Sequence, residues 1–277
     1  MPTRFLIFLL VCCASALGAQ QPNRAPNDPG KGAATAQNAS YDKAKMAVAI
    51  RESYYHPDDL TSLDCAVSID WAGFFSAMKL TLPADRMKVI EGLKIRSRAV
   101  RSKTPEFTFD WTNGPLDSSE QFVSGLKQMM GGFYQAYWPM IAASPIKDAA
   151  DISKVEPLPN GAAKVYSTGD NFNVVMTVDG ESTPTHFTME SPAMNGTIDP
   201  HYVASPKPIP GDLRRISGLD VTEQIGTSTM SVKLTLDYQE VDGFYVPKHV
   251  AFDIAGAYSL PLEFSSCSAS KDLPVSK

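Results

Sequence analysis

Between Thr229 and Ile254 the chain alternates apolar and polar residues twice around a tight turn. Met230, Val232, Leu234, Leu236 and Tyr238 interleave with Ser231, Lys233, Thr235, Asp237 and Gln239. Val241-Asp242-Gly243 follows, and Phe244, Val246, Val250, Phe252 and Ile254 resume the alternation. Successive side chains on a strand point to opposite faces, so this segment predicts a hairpin with one dry face and one wet face. Asp-Gly is a strong hairpin signal, because glycine accepts the positive φ that a tight turn demands. A long one-faced sheet must cover its dry side, and what covers it is where function is expected.

Further segments carry the same two-residue period. Leu63 to Trp71 reads as the first strand, and Ile95–Ser102 pairs with Glu106–Thr112, where Phe107, Phe109 and Trp111 share a face. Ala162–Thr168, Phe172–Val178, Thr185–Glu190, Asp212–Val221 and Leu260–Ser268 read as strands as well. Ser191 to Pro210 holds five prolines and predicts a long loop with at most a short edge strand. Tyr41 to Tyr55 predicts a helix capped by Ser40 and ended at His56-Pro57, since the residue before proline is driven out of the α region. Phe74–Met78 reads as a short helix, and Pro83 fits the first position of another, with Met87, Ile90 and Leu93 as its apolar stripe.

The longest helix opens at Ser118-Ser119-Glu120 and runs to about Ala143. Phe122, Leu126, Met129, Met130, Phe133, Tyr137, Met140 and Ile141 give it a wide apolar surface, interrupted by Gly131-Gly132 and Pro139. Two readings stand. The surface is a soft, methionine-rich lid over an apolar ligand, or it packs on the sheet as ordinary core, which is what such stripes do more often. The sum of elements is α+β: an antiparallel meander with helices packed to one side.

The N-terminus predicts an address. Arg4, the apolar run Phe5–Val11 and the small residues Ala14 to Ala19 read as a cleaved signal peptide over 1–19, too short to span a bilayer. A lipid-modified Cys12 or Cys13 fits the flanking residues poorly. Residues 20–39 are rich in Pro, Asn, Gly, Ala and Gln and read as a disordered leader, leaving 40–277 as a single domain. No later segment is apolar enough to span a membrane. The formal net charge of −5 becomes −6 without Arg4, which argues against nucleic acid and anionic membranes as partners.

Of four cysteines, cleavage leaves Cys65 and Cys267. An oxidising compartment and an even count predict a disulfide from first strand to last. Cys65 shares a face with Leu63, Val67, Ile69 and Trp71, but Cys267 is out of phase with Leu260, Leu262 and Phe264. A β-bulge would restore the phase; two separate buried thiols are the alternative.

Chemistry is sparse. His56, His186, His201 and His249 show no metal-ligand spacing, so neither a metal nor a cofactor is expected. No nucleophile elbow, S-x-x-K or P-loop pattern occurs, so no catalytic residue is assigned. His249 lies on the wet face beside Asp253, where a solvated strand histidine is the ordinary reading. Arg96, Arg98 and Arg101 form either an anion-binding edge or the charged rim that keeps an edge strand from aggregating.

The run Val232-Lys-Leu-Thr-Leu-Asp-Tyr-Gln-Glu-Val-Asp-Gly-Phe-Tyr-Val-Pro-Lys-His-Val250 resembles the late hairpin of the periplasmic lipoprotein-carrier (LolA-like) superfamily. The resemblance covers about the last hundred residues and implies an incomplete β-barrel, closed on its concave side by helices, whose cavity holds acyl chains. On that reading the protein is periplasmic or secreted and non-enzymatic. It binds a lipid, acyl chain or other hydrophobic small molecule between the sheet and Phe122, Leu126, Met129, Met130, Phe133 and Tyr137, and an envelope protein is a potential partner. The alternatives are an envelope scaffold with a filled core, and a hydrolase whose site is assembled from distant residues.

Overall fold

The computed structural model describes residues 42–272 apart from 102, 113, 115–118, 170–171, 191–194, 205–212, 226–227 and 255–257. The expected signal peptide, the leader and Ser40 lie outside the described residues.

Twelve strands form one antiparallel sheet in the order β3-β2-β1-β12-β11-β10-β9-β8-β7-β6-β5-β4. They are β1 Ser62–Ile69, β2 Leu93–Val100, β3 Glu106–Trp111, β4 Lys154–Pro157, β5 Ala163–Gly169 and β6 Phe172–Val178. Then come β7 Pro184–Glu190, β8 Asn195–Val203, β9 Arg215–Ile225, β10 Ser228–Val241, β11 Phe244–Ile254 and β12 Tyr258–Ser270. Every neighbouring pair but β1–β12 is consecutive in the chain, so the sheet is a meander, as the alternation predicts. It is open: β3 and β4 are its two edges. Among the described residues four α-helices complete an α+β fold: α1 Lys43–Glu52, α2 Trp71–Ala77, α3 Ala84–Glu91 and α4 Ser119–Ala136. Residues of all four join one core with residues of all twelve strands.

The opening hairpin forms in the register that its pattern demands. Leu234 stands opposite Phe252, Leu236 opposite Val250, and Val241 opposite Phe244. Asp242 has φ 50° and Gly243 φ 81°, the paired positive values of a two-residue hairpin turn. A β-branched residue at Gly243 would have to hold left-handed backbone, which costs about 1–2 kcal/mol. Gly243→Val is therefore expected to lower the urea midpoint without changing the slope; an unchanged midpoint would show that the turn is not held this tightly.

Cys65 and Cys267 stand at bonding distance, with their sulfurs 2.14 Å apart. The bulge that their phase requires is present. Asp64 pairs with Ser268 and Ala66 with Ser265, so Cys65 faces two residues, Ser266 and Cys267. Ser266 takes the positive φ of 46°, and the extra residue turns Cys267 toward its partner. The link spans 202 residues of chain, a long loop of the kind whose closure contributes about 2–4 kcal/mol. Cys65→Ala/Cys267→Ala is expected to lose that much in urea denaturation, and a loss below about 1 kcal/mol would mean that the bulge, rather than the bond, fixes β1 on β12.

Some expectations give way. Asp42, not Ser40, caps α1, its carboxylate accepting from the Ala44 and Lys45 N–H groups at 3.0 and 3.3 Å. That helix stops at Glu52 rather than Tyr55, because Tyr54 bridges to Arg214 and the Tyr55 N–H donates to the Arg214 carbonyl at 2.7 Å. Trp71 belongs to α2 instead of β1, because Asp70 caps a helix there by accepting from the Gly73 N–H at 2.9 Å. Pro83 is the N-cap of α3 rather than its first residue.

The largest correction is β8. A proline-rich loop is expected where a nine-residue strand lies between β7 and β9. Pro200 is tolerated because β7 pairs with β8 only from Asn195 to Ile198, whereas Pro200 faces Leu219 on β9. Beyond Ile198 the β7 side needs no N–H donor. Short β4 carries no alternation long enough to read.

Candidate functional site

Helix α4 leads from the sequence position after edge strand β3 toward that of edge strand β4, and its apolar stripe enters the core. Leu126, Met130, Phe133 and Tyr137 are buried, and Phe122 and Met129 are half-buried against them. The Phe133 ring lies 6.0 Å from that of Phe252 on β11 and 5.8 Å from that of Phe264 on β12. Tyr134 reaches the other side: its hydroxyl shares a hydrogen bond with Ser97 of β2 at 2.9 Å. Burial pushes the hydroxyl pKa of Tyr134 and Tyr137 well above the ordinary tyrosine value, since a phenolate there would lose its hydration.

After Ala136 the helix changes character. Pro139 has no N–H to donate into the ladder, and Tyr137–Ile141 widens into a π turn, closed by the Ala142 N–H donating to the Tyr137 carbonyl at 2.8 Å. Arg101 holds this end down. Its Nη2 donates to the carbonyls of Pro57 at 3.1 Å and Ala142 at 2.9 Å, and its guanidinium lies 5.6 Å from the centre of the Trp138 ring.

At the β3 end the packing is less complete. Phe107, Phe109 and Trp111 are only half-buried and alternate with exposed Glu106, Thr108 and Asp110. Trp111 and Trp71 flank Phe122 at 6.4 and 5.4 Å, Phe107 lies 6.3 Å from Tyr134, and Lys127 covers Phe109 at 5.6 Å. The result is an apolar aromatic seam between α4 and an edge strand. A methyl group added at Gly131 would meet nothing within 4 Å, so no packing demands a glycine there. Gly131→Ala is expected to raise stability by about 1 kcal/mol, read as a higher urea midpoint; a fall would mean that something closes on the helix at that point.

The polar candidates resolve differently. Arg96 pairs with Asp64 at 2.7 Å and Arg98 with Glu106 at 4.0 Å, on the exposed face of β2; they are cross-strand ion pairs. His249 stands opposite Asp237 and Glu263 in the ladder. His186 Nδ1 meets Asp199 at 2.6 Å, and His201 Nε2 meets Asp220 at 2.8 Å. Local spacing cannot reveal these two pairs, because each crosses from one strand to the next. Among the described residues no group of three or more His, Cys, Asp and Glu could hold a metal.

A second group escapes sequence reasoning altogether. Arg215, at the start of β9, is buried. Its guanidinium lies 4.6 Å from the centre of the Tyr245 ring and 5.2 Å from that of Tyr238. The Tyr55 hydroxyl accepts the Tyr245 N–H at 3.0 Å beside it. No alternation flags an arginine that three separate segments enclose. No described helix is long and apolar enough to cross a membrane. No protein-family model, curated protein or solved structure matches the chain.

Proposed function

We propose that this is an exported, non-enzymatic protein that holds a lipid, acyl chain or other apolar ligand between its sheet and α4. On this reading the open sheet curves about the helix as an incomplete barrel, as the resemblance to the lipoprotein-carrier superfamily implies. The observation that carries the reading is the half-buried aromatic seam of Phe107, Phe109, Trp111 and Phe122. An edge strand that leaves a row of large rings partly wet gains by covering them, and each ligand methylene buried there contributes about 0.8 kcal/mol. The π turn and Gly131 give α4 the softness to shift as a chain enters. The disulfide is of the kind that persists in an export compartment.

Phe122 and Met129 are the residues with which to test it, because Met130 and Phe133 are 0% and 1% exposed and a carboxylate there would break the core instead. Native mass spectrometry of the protein from its export compartment is expected to show extra mass that dissociates as lipid, and Phe122→Asp/Met129→Asp to lose it while staying folded. An unliganded mass that also ignores hydrophobic dye would turn the assignment to the second reading, an envelope scaffold with a filled core. That reading draws on the close packing of Phe133 among Phe252, Phe264, Tyr134 and Tyr137, and it predicts protein partners recoverable by crosslinking.

A further inference from the structure

Among the described residues five buried side-chain atoms lack a hydrogen-bond partner: the acceptor Asp64 Oδ1, which Arg96 approaches at 2.7 Å, and four atoms that can donate, Arg101 Nε, Tyr137 Oη, Trp138 Nε1 and Arg215 Nε. Of the last four, three can only donate, and the Tyr137 hydroxyl can donate too. Arg101, Trp138 and Tyr137 are linked neighbours: Arg101 lies over Trp138, whose ring is 5.2 Å from that of Tyr137. Arg215 has a cage of its own, formed by the rings of Tyr238 and Tyr245. Native proteins pair nearly all buried polar groups, so a buried orphan donor calls for an acceptor.

Arg215 is the centre of that demand. It is 6% exposed and, among the described residues, in no ion pair with a carboxylate. Its neighbour Arg214 has a partner in Glu181 at 2.8 Å; Arg215 has ring faces instead. The Tyr238 and Tyr245 rings offset part of the charge through their π electrons, but a ring face does not satisfy Nε–H, whose bond lies in the guanidinium plane. Tyr55 adds a donor: its oxygen accepts from Tyr245, and its own proton remains for another acceptor. Tyr238 does not, because its hydroxyl already donates to the Ile216 carbonyl at 2.6 Å. A guanidinium caged by aromatic rings, with the Tyr55 hydroxyl beside it and an apolar core behind it, is the chemistry that recognises an oxyanion.

We propose that Arg215, with the hydroxyl of Tyr55, binds the anionic head group of an amphiphile whose hydrocarbon chain lies along α4. This rests on the apolar-ligand reading above and narrows it to ligands with a carboxylate or phosphate head. The cage is bounded by the loop after α1, by the start of β9 and by β10 and β11.

The test compares palmitate, methyl palmitate and inorganic phosphate by calorimetry at neutral pH, with wild type, Arg215→Met and Arg215→Lys. Palmitate and its ester share a chain and differ in charge. Wild type is expected to bind the acid at least about tenfold more tightly than the ester, the scale of one charge-assisted hydrogen bond. Arg215→Met is expected to erase that preference and keep ester binding, and Arg215→Lys to keep part of it. The wild-type comparison needs no variant to fold. Equal binding of acid and ester would overturn the head-group site and leave the apolar-ligand reading standing. Phosphate bound as tightly as palmitate, with no ester binding, would overturn the amphiphile and leave a free-anion site. Binding of none of the three would overturn both readings.

Discussion

Above pH 10 the protein is expected to unfold cooperatively within about one to two pH units. Burial raises the hydroxyl pKa of Tyr54, Tyr134, Tyr137, Tyr202 and Tyr238 above the ordinary value. The sign follows from linkage. In the folded state these groups keep their protons above pH 10, while the unfolded chain, whose tyrosines titrate near 10, releases them. Their contribution to stability is complete below that pH and is lost as pH rises toward the folded values. Each group costs about 1.4 kcal/mol per pH unit in that window. Five acting together remove roughly 7 kcal/mol per unit, comparable with the whole stability of a domain. Three of the hydroxyls also donate or share hydrogen bonds that a phenolate cannot donate: Tyr134 with Ser97, Tyr202 to Pro184 and Tyr238 to Ile216. Tyrosinate absorbance and circular dichroism should change together in one steep step. Gradual tyrosine ionisation at ordinary pH with the fold intact would show that these side chains reach water.

Phe133→Ala is expected to cost about 3–5 kcal/mol, the usual range for removing a buried aromatic ring. The ring is 1% exposed and lies among Tyr134 and Tyr137 of its own helix, Phe252 of β11 and Phe264 of β12. It therefore ties α4 to the middle of the sheet, and its loss leaves a cavity that the sheet cannot collapse to fill. A urea denaturation series would measure the cost. A value under about 1.5 kcal/mol would mean that α4 sits loosely there, and would move the proposed ligand site from the β3 seam to the space beneath Phe133.

The strands were readable from one physical rule. Where one face is buried and the other is wet, the two-residue period is written into the residues, as at Leu234, Leu236, Val250 and Phe252. The rule fails where that condition fails. β8 is read as loop because its proline looks like a breaker, and only the shortened pairing with β7 makes Pro200 harmless. Trp71 continues the alternation of β1 on paper, yet the Asp70 cap turns the chain into α2 one residue earlier. In both cases a hydrogen-bond partner distant in sequence, or a competing local cap, decides the outcome.

The site divides along the same line. Its apolar stripe from Phe122 to Tyr137 is a local helical period, so all six of those residues were named from spacing, but spacing did not distinguish core from rim. Neighbours in space made Leu126, Met130, Phe133 and Tyr137 core and left Phe122 and Met129 half-buried, Phe122 among the rings of the seam. The Arg215 cage has no sequence signature, since Tyr55, Arg215, Tyr238 and Tyr245 come from a loop and three strands. The sequence by itself determined the α+β meander, the Asp242-Gly243 turn and the need for a bulge if Cys65 and Cys267 were to meet, because periodicity and turn chemistry act over neighbouring residues. Only the tertiary structure decided the strand order, the burial of each ring on α4 and the enclosure of an unpaired guanidinium, because these depend on contacts between segments that the chain brings together only when it folds.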